Sequence, residues 1–279
     1  MKSLAVGLAS GLGNCVMMLP AVKALKSLGH RITLYVQTDF PTTGLWRRCV
    51  YADEVLESPA LLNGHRLLCG NWIPPSWRHM PRVTQYRLPQ IHASEWRSNL
   101  RAAQAMGWKG ELDVSDWCRN LDRTPRWDVG IAPGCKGGTW LRKRYPGMAT
   151  VAEHFVSTGQ RVAIFGRDDD GVAGIPGQRV ASPRIELLPD YLAACRVVIG
   201  TESGVTHLAS SLGVPTVMIY TATSEQKSEP VCKPNRMIHM AIPCRPCVST
   251  SHWNACRDWK CREIPPATVI SQAEELLNG

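Results

Sequence analysis

A short polar loop between two apolar runs holds the residues best suited to chemistry in this chain. The apolar run Val197–Ile199 ends at the segment GTESG (200–204), and a second apolar run, Val217–Tyr220, follows Gly213. This pattern predicts a strand, a tight loop, a helix and a second strand. The N–H groups and the dipole at the start of that helix would attract an anion, most simply a phosphate. An ordinary βαβ crossover fits the same local pattern, so the rest of the chain has to decide between the two interpretations.

The side chains around this loop fit phosphate binding. Ser203 or Thr201 can cap the helix through its hydroxyl, and Gly204 allows the backbone to approach a ligand closely. His207 falls on the same first turn. A hydrogen-bonding side chain therefore faces the place where the anion would bind.

Two α/β runs along the chain would position such loops. The first is a βαβ unit with a strand, a Gly-rich loop, a helix and a strand, over Ser3–Leu8, Ala9–Gly13, about Asn14–Leu28 and Arg31–Val36. The second begins with a strand at Trp127 and continues as helix, strand and short helix, over 150–158, 161–165 and 189–195.

These runs predict an α/β protein with two Rossmann-like domains that face each other across a cleft, residues 1–125 and 126–279. In such folds ligands bind at the carboxyl ends of the strands. The intervening residues 40–125 are rich in Pro, Trp and Arg and show weak periodicity.

Composition narrows the partners and the location. The 279-residue chain has a formal net charge of +9 and a pI of about 9.1. This favours anionic partners, which include nucleotides, phosphorylated glycans, nucleic acid or a membrane surface in peripheral contact. No apolar run is long enough to span a bilayer, and Gly11 and Gly13 interrupt the N-terminal apolar stretch, which argues against a signal peptide. With eleven cysteines, we expect a cytoplasmic protein whose thiols are reduced.

Four short motifs stand in order along the chain. They are GLGNCVMMLPA (11–21), PG (133–134) followed by RKRYP (142–146), VAIFG (162–166) with the acidic run 168–170, and ESGVTHLA (202–209) ending at GVPT (213–216). Together they resemble glycosyltransferase family 9, the ADP-heptose:lipopolysaccharide heptosyltransferase family, whose members have the GT-B fold. The resemblance covers both ends and the second half of the chain, and residues 40–125 match poorly.

The resemblance implies a reaction and a division of labour. The N-terminal domain would bind the acceptor, and the C-terminal domain would bind a nucleotide-diphospho-sugar donor, ADP- or UDP-linked, with no cofactor for catalysis. The protein would be an inverting glycosyltransferase, in which an acceptor hydroxyl displaces the nucleoside diphosphate directly. A departing diphosphate gains charge in the transition state, so a cation and a helix N-terminus would stabilise it.

The resemblance also assigns roles to residues of the last motif. Ser203, Gly204 and Thr206 would lie against the donor diphosphate, and Glu202 and His207 would line the same site. Glu202 is also a candidate for a catalytic role.

Two further segments belong to the expected donor site. Lys143 matches the family's lysine before the aromatic-Pro pair and would neutralise the diphosphate; without the flanking motifs, residues 142–144 would be interpreted as a solvated basic face. The loop PGCKGGT (133–139) includes Gly134 and Thr139. It could wrap phosphate with backbone N–H groups, or it could be a flexible turn.

The first loop, which contains Gly11 and Gly13, departs from the family at one position. Family members carry an Asp after the glycine turn, proposed as the base that activates the acceptor hydroxyl, whereas this chain has Asn14. An amide cannot accept that proton at neutral pH. Either Asn14 only orients the acceptor and another group is the base, or the activity is lost or altered; Asn14 could also be a simple helix N-cap. The candidate bases are Asp39, His92, Glu95 and Glu202.

Four cysteines cluster near the C-terminus, namely Cys244, Cys247, Cys256 and Cys261. The first pair has the C-x2-C spacing of zinc ligands, and the second pair is more widely spaced. A structural zinc site, free thiols and disulfides all fit this pattern. A catalytic metal is not expected, because GT-B enzymes usually handle the diphosphate without one.

Residues 66–109 have the composition of a binding site for an anionic acceptor. They carry seven Arg or Lys residues and one acid, Glu95, interleaved with Trp and Tyr. Arginines pair with phosphates, and aromatic rings stack on sugars or on a splayed base, although several of these residues could equally be core or solvated. A lipopolysaccharide-core-like glycan suits the resemblance. The alternatives are a DNA glycosyltransferase acting on hydroxymethylated bases of phage DNA, and a catalytically silent nucleotide-sugar-binding protein.

Overall fold

The computed structural model describes residues 2–58, 66–70, 77, 84–87, 94–180, 184–248 and 250–279. The chain divides into two compact units. The N-terminal unit comprises Met1–Asn120 with Arg184–Leu187, and the C-terminal unit comprises Leu121–Pro183 with Leu188–Gly279. Over the described ranges, no helix combines the length and the apolar character needed to cross a membrane.

The N-terminal unit is built on a parallel sheet. Its strands are β1 (Ser3–Ser10), β2 (Arg31–Thr38), β3 (Glu54–Leu56), β4 (Arg66–Cys69) and β5 (Thr84–Arg87). They lie in the order β3-β2-β1-β4-β5, and the neighbouring strands are parallel. The central strand β1 is buried along almost its whole length, as expected for a parallel strand that is covered on both faces.

The helices of this unit are α1 (Leu12–Val16), α2 (Leu19–Ser27), α3 (Thr43–Trp46) and α4 (Glu95–Ala105). The predicted single helix over 14–28 is therefore wrong in one respect, because it is divided after Val16. Pro20 explains the division, since it has no N–H to donate to the Val16 carbonyl. It lies in the first turn of α2, where proline is tolerated.

The C-terminal unit contains a second parallel sheet. Its strands are β6 (Trp127–Ala132), β7 (Val162–Phe165), β8 (Gln178–Val180), β9 (Cys195–Thr201), β10 (Thr216–Tyr220) and β11 (Asn235–His239). They lie in the order β11-β10-β9-β6-β7-β8, with parallel pairing throughout. The helices are α5 (Met148–Ser157), α6 (Leu188–Ala193), α7 (Gly204–Ser211), α8 (Ser251–Ala255) and α9 (Pro266–Asn278).

Apolar strand residues form the core of this unit. Ile131 of β6 and Ile199 of β9 are fully buried and belong to one cluster with Phe155 of α5 and Val269 of α9. Each such side chain contributes roughly 1.5–3 kcal/mol to folding when it is removed from water. The core therefore fixes the strands whose carboxyl ends carry the predicted donor loops.

In both units the chain order reverses beside the first strand. β1 lies between β2 and β4, and β6 lies between β7 and β9. In open parallel sheets such a reversal leaves a crevice at the carboxyl ends of the central strands, where ligands bind. The loop that starts at Gly11 and the loops that start at Pro133 and Glu202 follow these strands. The predicted α/β class with Rossmann-like units is confirmed.

Candidate functional site

The ends of β6 and β9 bring two predicted donor loops side by side. The strands are parallel neighbours with Ala132 opposite Gly200, so the loops that begin at Pro133 and Glu202 leave the sheet together. A side chain at residue 200 would not fit. Its Cβ atom would lie 2.4 Å from the Ala132 carbonyl oxygen and 2.6 Å from Cγ2 of Thr206. The glycine is therefore required for the close approach of β9, β6 and the start of α7.

Helix α7 begins at this edge with an ordered cap. Ser203 is the N-cap residue, and its backbone N–H donates to Oγ1 of Thr206 at 3.0 Å. The first intrahelical bond runs from the His207 N–H to the Ser203 carbonyl, so the Gly204 N–H precedes the helical hydrogen-bond ladder. Thr201, the other predicted cap, instead donates its hydroxyl to the carbonyl of the first residue after β6, at 3.2 Å. This bond ties the two loops together.

Three buried side chains meet beside the helix start. The Lys143 ammonium donates to Oε2 of Glu202, and Nε2 of His207 lies 3.1 Å from Oε1 of the same carboxylate. Their relative exposures are 7%, 7% and 2% in the order Lys143, Glu202, His207. The motifs named these residues separately, and the structure brings them into one network.

The network keeps the carboxylate ionised. Burial by itself would raise the pKa of Glu202, but the Lys143 ammonium and then His207 outweigh it and hold that pKa well below its usual value. A carboxylate with so low a pKa does not accept a proton at neutral pH. Glu202 is therefore unsuited to be the base that replaces the missing Asp, and its chemistry is to hold Lys143 and His207.

Lys143 is held by its backbone as well as by its charge. Its carbonyl accepts a hydrogen bond from Oγ1 of Thr221 at 2.9 Å, and its ammonium lies 5.5 Å from the centre of the Trp140 ring, within the range of a cation–π contact. A lysine ammonium has three N–H donors, so one contact with Glu202 leaves donor capacity for a phosphate. Lys143 is thus not part of a solvated basic face.

The glycine loop after β6 is anchored at one end and exposed at the other. A Cβ atom at Gly134 would lie 2.7 Å from Cβ of Asp170, and Asp170 in turn lies 3.9 Å from Nη2 of Arg144. Gly138 has a φ of 64°, a left-handed conformation that favours glycine. Thr139 is exposed. The loop can therefore present backbone N–H groups at its open end.

The predicted acceptor loop follows β1 in the N-terminal unit. Gly11 is the N-cap of α1 and Asn14 lies inside that helix, so the N-cap interpretation of Asn14 is wrong. The Asn14 N–H donates to the Gly11 carbonyl at 3.1 Å, and Gly13 precedes it on the same turn. Ser10 has a φ of 66°, which costs a non-glycine residue roughly 1–2 kcal/mol. The loop therefore leaves the strand through a sharp, strained turn.

Two of the candidate bases lie near this loop. The Asp39 N–H donates to the Ser10 carbonyl at 3.1 Å, so Asp39 follows β2 at the same edge of the sheet. Burial, then the charge of Asp39, and more weakly that of Glu95, raise the pKa of the Cys15 thiol in α1. Asp39 is exposed and Glu95 is buried. His92 lies outside the described residues.

Two of the four clustered cysteines form part of a small buried core in the C-terminal unit, and Cys244 is exposed. Cys247 and Cys261 pack with Ala222 and Trp253. Burial, followed by the charges of the other three cysteines, raises the pKa of Cys261 to about 11. Across the part of the chain that the structure describes, however, no three His, Cys, Asp or Glu residues are placed to hold a metal ion. The predicted zinc ligands are therefore neighbours, but they do not fit a metal site in this structure.

Much of the basic and aromatic segment 66–109 lies outside the described residues. Trp77 is buried and packs on Tyr35 with 5.0 Å between ring centres. Trp96 is also buried, and the guanidinium of Arg97 lies 4.3 Å from its ring centre. These two tryptophans belong to the core, and an acceptor role for the remainder of the segment stays a prediction.

The sequence profile of glycosyltransferase family 9 (heptosyltransferase) matches residues 92–257, more than half of the chain. This chain belongs to glycosyltransferase family 9. Among curated relatives, the family 9 chain is 30% identical to lipooligosaccharide heptosyltransferase 2 of Campylobacter jejuni subsp. jejuni serotype O:2 over 172 residues, which make up 54% of this chain and 51% of that protein. It thus spans about half of that relative, and about a third of three further heptosyltransferase 2 relatives.

Solved structures share the fold of this family 9 chain. The family 9 glycosyl transferase from Veillonella parvula has a TM-score of 0.73 at 18% identity, covering 99% of this chain and 97% of that one. The E. coli heptosyltransferase WaaC, solved with ADP, has a TM-score of 0.72 at 11% identity, covering 99% of this chain and 100% of that one. Identities this low speak for the fold alone, which is the GT-B fold expected from the motifs.

The motifs of this family 9 chain identified the residues of the site, but they missed residues that hold Lys143 in place. Trp140 and Thr221, which hold Lys143, carry no motif of their own. The only local signals were that Trp140 stands three residues before Lys143 and that Thr221 directly follows an apolar strand. Neither signal shows which side chain contacts which.

Replacing Glu202 with Gln should destabilise the protein. The substitution leaves the Lys143 charge buried without its counter-charge, and breaking a buried pair in this way costs about 3 kcal/mol or more. Urea unfolding of the full chain at neutral pH measures the free energy of unfolding. The exposed Glu263, changed to Gln, is the matched control and should shift it by less than about 0.5 kcal/mol. A loss below about 1 kcal/mol for E202Q would contradict the role of Glu202 in the network.

The stability of the wild type and that of E202Q should depend differently on pH. Because the pKa of Glu202 is depressed in the folded state, its stabilisation is complete above the unfolded pKa, near 4.5, and is lost as the pH falls toward the folded value. The stability difference between the wild type and E202Q should therefore stay constant from about pH 8 to 5 and shrink at lower pH. A difference that grows as the pH falls would have the wrong sign for this network.

Proposed function

We propose that this family 9 protein is an inverting glycosyltransferase, which transfers a sugar from a nucleotide-diphospho-sugar to a hydroxyl of an anionic glycan. One observation carries the proposal: the Lys143 ammonium and the start of α7 lie together at the strand ends where the chain order reverses. A helix start attracts anions, strand ends at such a reversal bind ligands, and a lysine adds a positive charge. Together these features suit a diphosphate.

In this proposal the C-terminal residues 126–279 bind the donor. The backbone at Ser203 and Gly204, with the hydroxyl of Thr206, contacts the diphosphate at the helix start. Lys143 neutralises it, and the open end of the glycine loop at Thr139 closes over it. His207 and Glu202 hold the lysine rather than the sugar, as their mutual contacts support.

The proposed reaction is a direct displacement at the anomeric carbon. The acceptor oxygen bonds to that carbon while its bond to the diphosphate oxygen breaks, and the bonding electron pair leaves with the nucleoside diphosphate. The leaving group gains negative charge as it departs. A fixed ammonium and a helix N-terminus, already in place before the reaction, stabilise that charge without reorganisation.

The relatives support a particular donor and acceptor. Curated relatives are named lipopolysaccharide or lipooligosaccharide heptosyltransferase 2, and one fold neighbour was solved with ADP. We therefore propose an ADP-linked heptose as the donor and a lipopolysaccharide-core-like glycan as the acceptor, bound by residues 1–125. The formal charge of +9 suits a phosphorylated acceptor. The described residues provide no observation in favour of a DNA acceptor or of a silent binding protein.

A cytoplasmic location fits the thiols. All eleven cysteines lie in the described ranges, and none of them is joined to another in a disulfide there. Free thiols persist in a reducing compartment. We propose that the reaction takes place there.

Calorimetric titration of the full chain tests the donor site. ADP should bind at least about tenfold more tightly than AMP, because only ADP places a second phosphate near Lys143 and the start of α7. Lys143→Gln, which keeps a hydrogen-bond donor for Glu202, should remove most of this difference while AMP binding stays within about twofold. The exposed Lys227, changed to Ala, is the control and should bind like the wild type.

Two outcomes would overturn this assignment. One is a wild type that binds ADP no more tightly than AMP and UDP no more tightly than UMP. The other is a folded K143Q variant, verified by its melting temperature, that keeps the full preference for the diphosphate. A preference for UDP over ADP would retain the donor site but replace the proposed nucleotide.

We propose Asp39 as the general base in place of the missing Asp. Its backbone is fixed to Ser10 at the strained exit from β1, and its charge acts on the Cys15 thiol more strongly than that of Glu95 does. It is also exposed at the strand ends, where an acceptor hydroxyl can reach it, whereas Glu95 is buried. Glu202 is excluded by its ion pair with Lys143.

Exchanging the carboxylate and the amide between positions 39 and 14 tests whether Asp39 is the base. Asp39→Asn should lower kcat by about 100-fold or more, the usual contribution of a general base, with little change in ADP binding. Adding Asn14→Asp to that variant should restore activity, since it supplies a carboxylate at the position where family members carry one. Glu57→Gln, at an exposed site in the same unit, is the control for charge removal.

The readout is transfer from ADP-heptose to a deacylated lipopolysaccharide core, as a function of pH. If Glu95→Gln abolishes transfer while D39N does not, the base is Glu95 and the assignment of Asp39 is wrong. If D39N transfers sugar as fast as the wild type, the base lies elsewhere, even if adding N14D raises transfer further.

Structural zinc on Cys244, Cys247, Cys256 and Cys261 stays a proposal supported by spacing alone. Sulfur ligands of this kind select zinc or iron, so elemental analysis of protein purified under reducing conditions should measure both. About one metal ion per chain would support the proposal. A metal-free protein that unfolds cooperatively, with the same melting temperature after zinc is added, would refute it.

A further inference from the structure

The cysteine-rich segment, described over residues 244–248 and 250–262, contacts the short 3-10 turn Gly138–Lys143. The guanidinium of Arg142 lies 5.9 Å from the ring centre of Trp253 and 5.1 Å from that of Trp259. Its Nη1 also donates to the Trp253 carbonyl at 2.9 Å. Trp140, on the same turn, lies 5.9 Å from Trp253 between ring centres. Two residues that precede Lys143 in this turn, Trp140 and Arg142, are therefore held by the segment.

A second connection reaches Lys143 through the loop after β10. Arg245 donates to the Thr221 carbonyl through Nε, and to the carbonyl of Thr223 through Nη2 at 2.9 Å. The Cys247 N–H donates to the carbonyl of Ala222 at 3.0 Å. Thr221 in turn donates its hydroxyl to the Lys143 carbonyl. The same segment thus fixes the backbone of Lys143 from a second direction.

The segment is itself packed tightly enough to serve as a support. Trp253 is buried with Cys247 and Cys261 in one cluster, and Trp253 and Trp259 meet edge to face at 6.2 Å. Trp259 has a φ of 51°, which is unusual for a bulky residue and persists only where the surroundings determine it. Packing of Trp253 against Cys247 and Cys261 therefore holds the segment in place.

The turn needs such a support because its own surroundings are sparse. Residues 136–137 before it and residues 138–139 at its start are exposed, and Leu141 is 41% exposed. Arg142, by contrast, is partly buried under its contacts with the segment. Its aromatic contacts therefore hold the part of the turn that leads from the exposed residues to the buried Lys143.

We propose that the cysteine-rich segment positions Lys143. It does so through Arg142, whose guanidinium contacts the rings of Trp253 and Trp259. This inference rests on the proposed function, in which Lys143 contacts the donor diphosphate. Arg142 and Trp253 are positioning residues that contact neither donor nor acceptor. Cys247 and Cys261 contribute to this role through their packing with Trp253.

Titration of the full chain with ADP and AMP tests this inference. Loss of position at Lys143 should reduce the preference for ADP over AMP by about tenfold in Arg142→Ala, while AMP binding changes less than about twofold. Trp253→Leu, which keeps an apolar side chain in the cysteine core but removes the ring, should have the same effect. Arg142→Lys retains the charge over the rings and should restore part of the preference. The exposed Arg257, changed to Ala, belongs to the same segment and is the control.

The outcomes separate this inference from the proposed function. A wild type without preference for either ADP over AMP or UDP over UMP would remove the donor site itself. A wild type with that preference, and a folded R142A that keeps it, would overturn the positioning role alone. R142A decides the matter even if W253L does not fold, because it leaves the buried cluster of Trp253, Cys247 and Cys261 intact. Equal weakening of AMP and ADP in R142A would indicate general loss of structure and would also count against the inference.

Discussion

The buried contact between Lys143 and Glu202 constrains the candidate site. Two opposite charges that leave water each cost several kcal/mol unless they stay together. The loop after β6 and the loop after β9, which carry them, must therefore remain in register. Gly200 permits the close packing that this requires, because any Cβ atom there would collide with the neighbouring strand end. His207 completes the pairing by contacting the second oxygen of the same carboxylate.

This constraint explains how a cation can be kept ready for an anionic ligand inside a buried site. An unpaired ammonium would lose its proton or its place when removed from water. Paired with Glu202, the buried Lys143 ammonium has a counter-charge and still has N–H donors for a phosphate. The site is thus organised before the ligand arrives, which is the condition for stabilising charge that develops during a reaction. The Arg142–Trp253 contact extends the same organisation outward to the cysteine-rich segment.

The two units share a reversal of strand order beside their first strand, but they place different side chains there. In each, the first strand leads into a glycine-containing loop at the point where the strand order reverses. In the C-terminal unit that loop lies next to a buried cation. In the N-terminal unit the loop leads into α1, which contains Asn14. Asp39 follows the neighbouring strand, and its N–H donates to the Ser10 carbonyl at the start of that loop. A shared fold therefore leaves the identity of the reacting group to individual side chains.

The sequence alone determined the parallel α/β units and the order of the motifs, and it limited the cap of α7 to Ser203 or Thr201, because apolar periodicity, glycine and capping residues act over a few neighbouring positions. Weak periodicity concealed α4, and spacing suggested a zinc set that the described residues do not assemble. Only the tertiary structure decided the partners of Lys143. Glu202 lies 59 residues away in sequence and Trp253 lies on a separate helix. Trp253 reaches Lys143 only indirectly, through Arg142 and Trp140. Which side chains meet depends on strand order and burial, and these are set by the whole sheet rather than by any local pattern.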